Sequence, residues 1–274
     1  MKYNGKIIAE QLDFPEGPAF DPSGHLWFVE LKGGNLVRWS IDGLHRVPTQ
    51  GAPNGLAFDR QGKAWFCDSE QNAIRLYDPV EDHFDTITDS LAGQPFAKPN
   101  DLSFDSLGNL VFTNPGESRT EPTGYVCCLG LDGSLKTIAD QMFFPNGLAF
   151  ADEGKTLIIA ETYRHRLWKG KWDAENAEWI DAQPWAEVGG PIGPDGMALG
   201  RDGLLYTAVF GTGQIRVVDR SGLVSHVHDV PGQRPTNVAF DPSGNLGLVA
   251  TEAENGLLLS IPVSISGVPL FQRR

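Results

Sequence analysis

Short apolar runs recur along this chain at a regular distance. Each is opened by a proline, and each is followed by a second apolar run beyond a tight polar turn. The first runs read FPEGPAF, APNGLAF, KPNDLSF, FPNGLAF, GPDGMAL and RPTNVAF. Their prolines, at 15, 53, 99, 145, 194 and 235, are about 44 residues apart, a period that marks a repeat architecture. The second runs read DPSGHLWFVE from Asp21, DRQGKAWFCD from Asp59, DSLGNLVFTN from Asp105, DEGKTLIIAE from Asp152, RDGLLYTAVF from Arg201 and DPSGNLGLVA from Asp241. An Asp, Pro, Ser and Gly cluster between short apolar runs is hairpin chemistry, so each unit starts strand, turn, strand.

Third strands are predicted at Asn35 to Ile41, Ala73 to Tyr77, Tyr125 to Leu131, Arg166 to Trp172, Gln214 to Val218 and Gly256 to Ile261. A fourth run closes most units, as at Phe84 to Thr88 and Leu135 to Ala139. Six units of four antiparallel strands around a central channel describe an all-β, six-bladed β-propeller. The repeats consume the chain without a linker or low-complexity segment, which predicts a single domain over 1–274. The segment from Lys6 to Pro15 resembles that from Lys136 to Pro145, which places it as an outer strand of the sixth blade. Closing the ring with the chain ends protects both edges, and Val268 to Gln272 competes for the same place.

Composition changes the picture little. Glycine (32) and proline (19) supply the turns, and 41% hydrophobic residues suffice for a packed core. The net charge of −13 is spread along the chain and repels phosphate backbones, so no nucleic-acid partner is expected. No run reaches the length of a membrane span, and the first residues lack a signal-peptide core. Cys67, Cys127 and Cys128 form neither an even framework nor a metal-spaced set. A reducing, cytoplasmic location is the expectation, with the oligomeric state left open.

The chemistry enters through the repeat. Each proline motif opens a first strand against the central axis, so equivalent residues form a ring at one end of the channel. The residues after the prolines are Glu16, Asn54, Asn100, Asn146, Asp195 and Thr236. All carry side-chain oxygen and two are carboxylates, a donor set that suits one hard divalent cation. Pro-Asn-Gly is also an ordinary turn tripeptide, but a turn has no need of Glu16 in one copy and Asp195 in another. The next positions are Gly17, Gly55, Asp101, Gly147, Gly196 and Asn237, and four glycines predict a left-handed backbone there. Asp101 is then either a tolerated turn residue or a carboxylate beside the cation.

Loops between second and third strands surround the same mouth. The longest, Asn114 to Thr123, carries Glu117, Ser118 and Arg119 and is placed to choose a substrate. Lys98, just before the ring, can hold its ammonium over the channel. The six histidines avoid the ring, no nucleophile elbow or phosphate-binding glycine loop is present, and the tryptophans read as packing.

PEGPAF, PNDLSFD, FPNGLAF and PDGMAL, in this order, resemble the senescence marker protein 30, gluconolactonase and luciferin-regenerating enzyme family, over essentially the whole chain. The resemblance implies a six-bladed propeller holding one divalent metal (Ca, Zn, Mn or Mg), and a metal-dependent lactonase that opens a sugar lactone to the sugar acid. Glu16 in PEG, Asn146 in FPNG and Asp195 in PDG match the family's metal ligands. Asn100 in PND matches an asparagine that binds metal or substrate, and Asp101 the acidic residue beside it. Asn54 and Thr236 are then expected near the ion but unligated. Lys98 stands where animal members have arginine, and Phe112-Thr113-Asn114-Pro115 where many gluconolactonase-like members continue FTDP. The substrate side therefore comprises Lys98, Asn100, Asp101 and Glu117, and either Asp195 or Asp101 serves as general base. The alternatives are an ester or organophosphate hydrolase on the same scaffold, or a non-catalytic binding propeller.

Overall fold

A computed structural model describes residues 3–273. Six four-stranded antiparallel sheets follow one another in a ring. The first is built from Pro15–Phe20, Leu26–Glu30, Asn35–Ser40 and Gly43–Pro48, in that spatial order. The inner strands of the other blades are Pro53–Phe58, Leu102–Phe104, Pro145–Ala151, Gly193–Leu199 and Pro235–Phe240. The predicted strands are all present, their ends shifted by up to three residues, as where the strand from Leu135 runs on to Met142. One feature escaped the repeat: a two-stranded hairpin, Ser90–Leu91 with Gln94–Pro95, between the second and third blades.

The inner strands are buried along nearly their whole length while the outermost alternate towards water. Apolar side chains consequently gather between blades. Six hydrophobic clusters fill the six blade–blade contacts, from Trp27, Leu36 and Phe58 between blades one and two to Phe28, Val249 and Leu258 between six and one. Cys127 packs towards blade two and Cys128 towards blade four, as neighbours on one strand must. All three cysteines are buried and free. The turns beginning with aspartate are structural braces. Asp21, Asp59 and Asp105 each accept backbone N–H groups of their own turn, and each also accepts a tryptophan indole N–H, from Trp27, Trp65 and Trp172 at 3.0–3.1 Å.

The ring closes through the amino-terminal strand. Lys6–Ala9 pairs antiparallel with Leu257–Ile261, Lys6 opposite Ser260. Val268 to Gln272, the competing segment, takes a different course across the far end of the channel. Val268 N–H donates to Leu199 O, Phe271 packs edge-on to Phe150, and Arg273 lies over Trp65 while its carbonyl accepts from Arg60 N–H. Between this tail and the inner strands lies a cavity of about 430 Å³. No helix among the described residues is long and apolar enough to cross a membrane.

Candidate metal centre and mouth

Alternation along a strand would turn every second residue away from the axis. The inner strands break that rule at the ring. Pairing with the second strand slips between Glu16 and Ala19, Pro53 and Leu56, Pro145 and Leu148, Pro194 and Met197, and Pro235 and Asn237. A bulge at this place re-aims side chains. It lets the residue after the proline and the one following it share the channel.

Glu16, Asn54, Asn146 and Asp195 are buried, and Asn100 and Asp101 are half-buried in the channel wall. Burial raises the Glu16 carboxyl well above its usual range, and the charges of Asp195 and Asp101 add to the effect, with the Gly17 N–H and Thr236 opposing it. Asp195 is likewise pushed well up, first by burial and then by Asp101. Burial lifts Asp101 to about 6, against the Leu102 N–H and the Asn237 amide. Burial thus disfavours charge on all three carboxyls, Asp101 adds to the effect on Glu16 and Asp195, and no lysine or arginine among the described residues offsets it. A dication fits this donor set: carboxylate and amide oxygen converging in a buried place. The set is not one of histidine and cysteine, and no three His, Cys, Asp or Glu side chains among the described residues form a tight cluster.

Two threonines fix the ring from behind. Asn146 Nδ2 donates to Thr162 Oγ1 at 3.2 Å, and the Thr162 hydroxyl donates to Pro194 O at 2.7 Å. Since that hydroxyl proton is engaged, Thr162 receives the amide N–H and leaves Asn146 Oδ1 for the channel. Thr236 Oγ1 is engaged with Pro15 O at 2.8 Å and Thr251 Oγ1 at 2.7 Å. Each hydroxyl therefore ties one blade to the residue preceding a ring carboxylate of the next.

The glycine positions need a correction. Only Gly17 has a positive φ, at 48°, and Gly55, Gly147 and Gly196 do not. Space decides instead. A Cβ on Gly196 would lie 1.9 Å from Asn237 Cγ, and one on Gly55 would lie 2.5 Å from Asp101 Oδ1 and 2.6 Å from its Cα. Glycine clears the channel so that the two polar exceptions can reach across it. Left-handed backbone lies before the proline, at Phe14, Lys98 and Phe144 with φ of 59°, 51° and 62°. These bulky residues at the mouth are held in a conformation that pre-proline residues avoid.

At the mouth, Lys98 and Glu117 form an ion pair, both more than half exposed. Ser118 is buried: its hydroxyl donates to Pro115 O and accepts from Phe144 N–H, docking the long loop on blade four. Thr162 was not among the residues singled out from the sequence, and Asn237 was named there only as a position in the second ring, without a role. A signal existed for Asn237, which shares Asp101's register three blades away, directly opposite in a ring of six.

Known proteins share this fold and family. The family model described as SMP-30/Gluconolactonase/LRE-like region matches residues 14–253. Diisopropyl-fluorophosphatase of Loligo vulgaris is 28% identical, covering 90% of this chain and 88% of its own. A gluconolactonase of Zymomonas mobilis is 27% identical over 87% and 76%. The crystal structure of a calcium-binding protein, regucalcin, from Agrobacterium tumefaciens superposes with a TM-score of 0.88 at 20% identity, over 99% and 98%.

Proposed function

This chain belongs to the SMP-30/gluconolactonase/LRE-like family, and from that premise we propose that it is a divalent-metal-dependent lactonase acting on a sugar lactone. The observation that carries the reading is the burial of Glu16 and Asp195 beside Asp101 and Asn146, with no lysine or arginine of the described residues to offset their charge. A relative named gluconolactonase and a fold neighbour described as a calcium-binding protein support it.

In this reading Glu16, Asn100, Asn146 and Asp195 hold the ion, with Thr162 orienting the Asn146 amide. When bound, a divalent ion at the ring supplies Lewis acidity to an ester carbonyl and lowers the pKa of water. Asp101, held by Asn237 and lifted towards neutrality by burial, is matched to accept the proton of an attacking water near pH 6–7. Asp195 is the other candidate base. Lys98, Asn100 and Glu117 stand on the substrate side, the Lys98–Glu117 pair offering a donor and an acceptor to sugar hydroxyls.

The test is hydrolysis of a panel of aldonolactones by metal-loaded and chelator-treated protein, with metal content measured for Glu16→Gln and Asp195→Asn. Chelation should abolish turnover, and each variant should lose the ion at limiting free metal. Full occupancy in both variants would place the ion elsewhere. The resemblance to diisopropyl-fluorophosphatase supports a second reading, a phosphotriester hydrolase on the same ring. Phosphofluoridate cleavage outpacing every lactone would favour it.

A further inference from the structure

Immediately above the ring of oxygen donors stand the residues that precede the prolines: Phe14, Ala52, Lys98, Phe144, Gly193 and Arg234. No acid is among them, although the protein as a whole carries −13. The two cations differ in their state. Lys98 is neutralised by Glu117. Arg234 is exposed, its guanidinium lies 5.9 Å from the Phe210 ring, and it forms no ion pair among the described residues. A second guanidinium comes from the long loop of blade three. Arg119 lies 5.8 Å from the ring centre of Phe144 and 6.0 Å from that of Tyr163, also without an ion pair among the described residues, and its charge reaches only the Glu117 carboxylate that Lys98 already holds.

The acids ending the second strands do not quench these charges. Glu30, Asp68 and Glu161 are buried and committed to Arg46, Arg75 and Arg166 at 2.8 Å. Glu252 accepts the backbone N–H groups of Arg234, Glu254 and Asn255, and Glu254 accepts that of Gln233, so these two acids hold backbone and form no ion pair with the Arg234 guanidinium. A guanidinium resting on an aromatic face keeps its edge N–H donors free, in the fork that fits a carboxylate or phosphate. A neutral lactone offers such a group only hydroxyl and ring oxygens, which do not use its charge. An anionic one entering a channel with three carboxylates at its base needs a countercharge at the mouth.

Building on the lactonase reading, we propose that the substrate is a lactone bearing an oxyanion, carboxylate or phosphate, remote from the scissile ester, and that Arg234 anchors it. Arg119 adds to the attraction from the far side of the mouth. Hydrolysis itself is unaltered: water adds across the acyl–oxygen bond, releasing a carboxylate, a hydroxyl and a proton.

Three lactones of one sugar test this: glucono-δ-lactone (neutral), glucaro-1,4-lactone (carboxylate) and 6-phosphoglucono-δ-lactone (phosphate). Metal-loaded protein should favour one of the anionic substrates at least tenfold in kcat/KM, and 0.5 M salt should shrink the preference. Arg234→Gln should lose about ten- to a hundredfold on the anionic lactone, mainly through KM, with the neutral lactone and metal content unchanged. Arg119→Gln should lose less. The carboxylate and phosphate arms tell which oxyanion is taken. A second measurement does not depend on turnover: calorimetric binding of galactarate against galactitol. If no lactone is cleaved but galactarate binds more tightly to the wild type than to Arg234→Gln, the lactonase reading falls and the anion site stands. Preference for the neutral lactone, equal losses on all three, or galactarate binding unaltered by Arg234→Gln overturns the proposal.

Discussion

Asn237 Nδ2 lies 3.5 Å from Asp101 Oδ2, so an amide of blade six meets a carboxylate of blade three across the channel. Asn237 Oδ1 accepts Val238 N–H at 2.8 Å, which leaves the side-chain N–H groups facing Asp101. Asp101 in turn accepts Leu102 N–H through its other oxygen. The carboxylate is therefore held from two sides and presents a fixed edge to the ring.

This contact predicts that Asn237→Ala lowers turnover roughly tenfold with metal content unchanged, because it removes one hydrogen bond to a charged group. Gly196→Ala should mimic it, since the added methyl displaces the end of the Asn237 side chain. Gly55→Ala meets the Asp101 backbone instead and should cost about 1–3 kcal/mol of stability. Kinetics and urea unfolding of the three variants separate these outcomes.

Thr162→Val should weaken the divalent ion about tenfold, because the Asn146 amide loses the partner that sets its orientation. Thr162→Ser keeps the hydroxyl and should restore affinity. Competition with a chelating dye reads both without any substrate. Equal affinity in the valine variant would show that Asn146 needs no brace.

The pH dependence of the metal-free protein follows from the raised carboxyls. Between the ordinary aspartate value and about 6, folded Asp101 keeps a proton that the unfolded chain has lost. Stability therefore falls as pH rises through that window, and Glu16 and Asp195, raised as well, extend the fall upwards. Chelated protein should melt roughly 3–6 °C lower at pH 7 than at pH 5 through Asp101 alone, and Asp101→Asn should remove that share. Saturating divalent ion should flatten the profile. Melting curves across pH, with and without chelator, measure it.

Removing residues 266–274 takes away the packing of Phe271 on Phe150 and of Arg273 on Trp65. The melting temperature should drop by several degrees, while ion affinity stays within about twofold, since no tail residue belongs to the ring. A large loss of affinity would mean that the floor of the channel governs the ion.

The repeat made the blades, their strand order and the ring legible, because a proline register and a hairpin turn are local signals repeated six times. Glu16 and Asp195 stood out as departures from a neutral pattern. The bulges did not, since an irregular pairing depends on the partner strand. The glycines were misread for a related reason: their shortage of space comes from Asn237 and Asp101 on other blades, whereas a left-handed turn would have been a property of the glycine alone. Lys98 and Glu117 were each read as facing substrate, and only the folded loop reveals that they face each other. Asn114 ends its strand where four other blades place a carboxylate, and both polar atoms of its amide are buried without a hydrogen-bond partner among the described residues.

The union of Lys6–Ala9 with Leu257–Ile261 also sets a schedule for the nascent chain. Of the propeller's strands, the first to be made must wait for almost the last before it can be paired. Until then blade six has no fourth strand, and Ile7 and Ile8 have no sheet to lie on. A contact of such sequence separation makes closure a late and slow event of folding, with an open strand edge exposed throughout the wait. The arrangement that secures the finished ring is thus the one that leaves the growing chain most open to wrong partners.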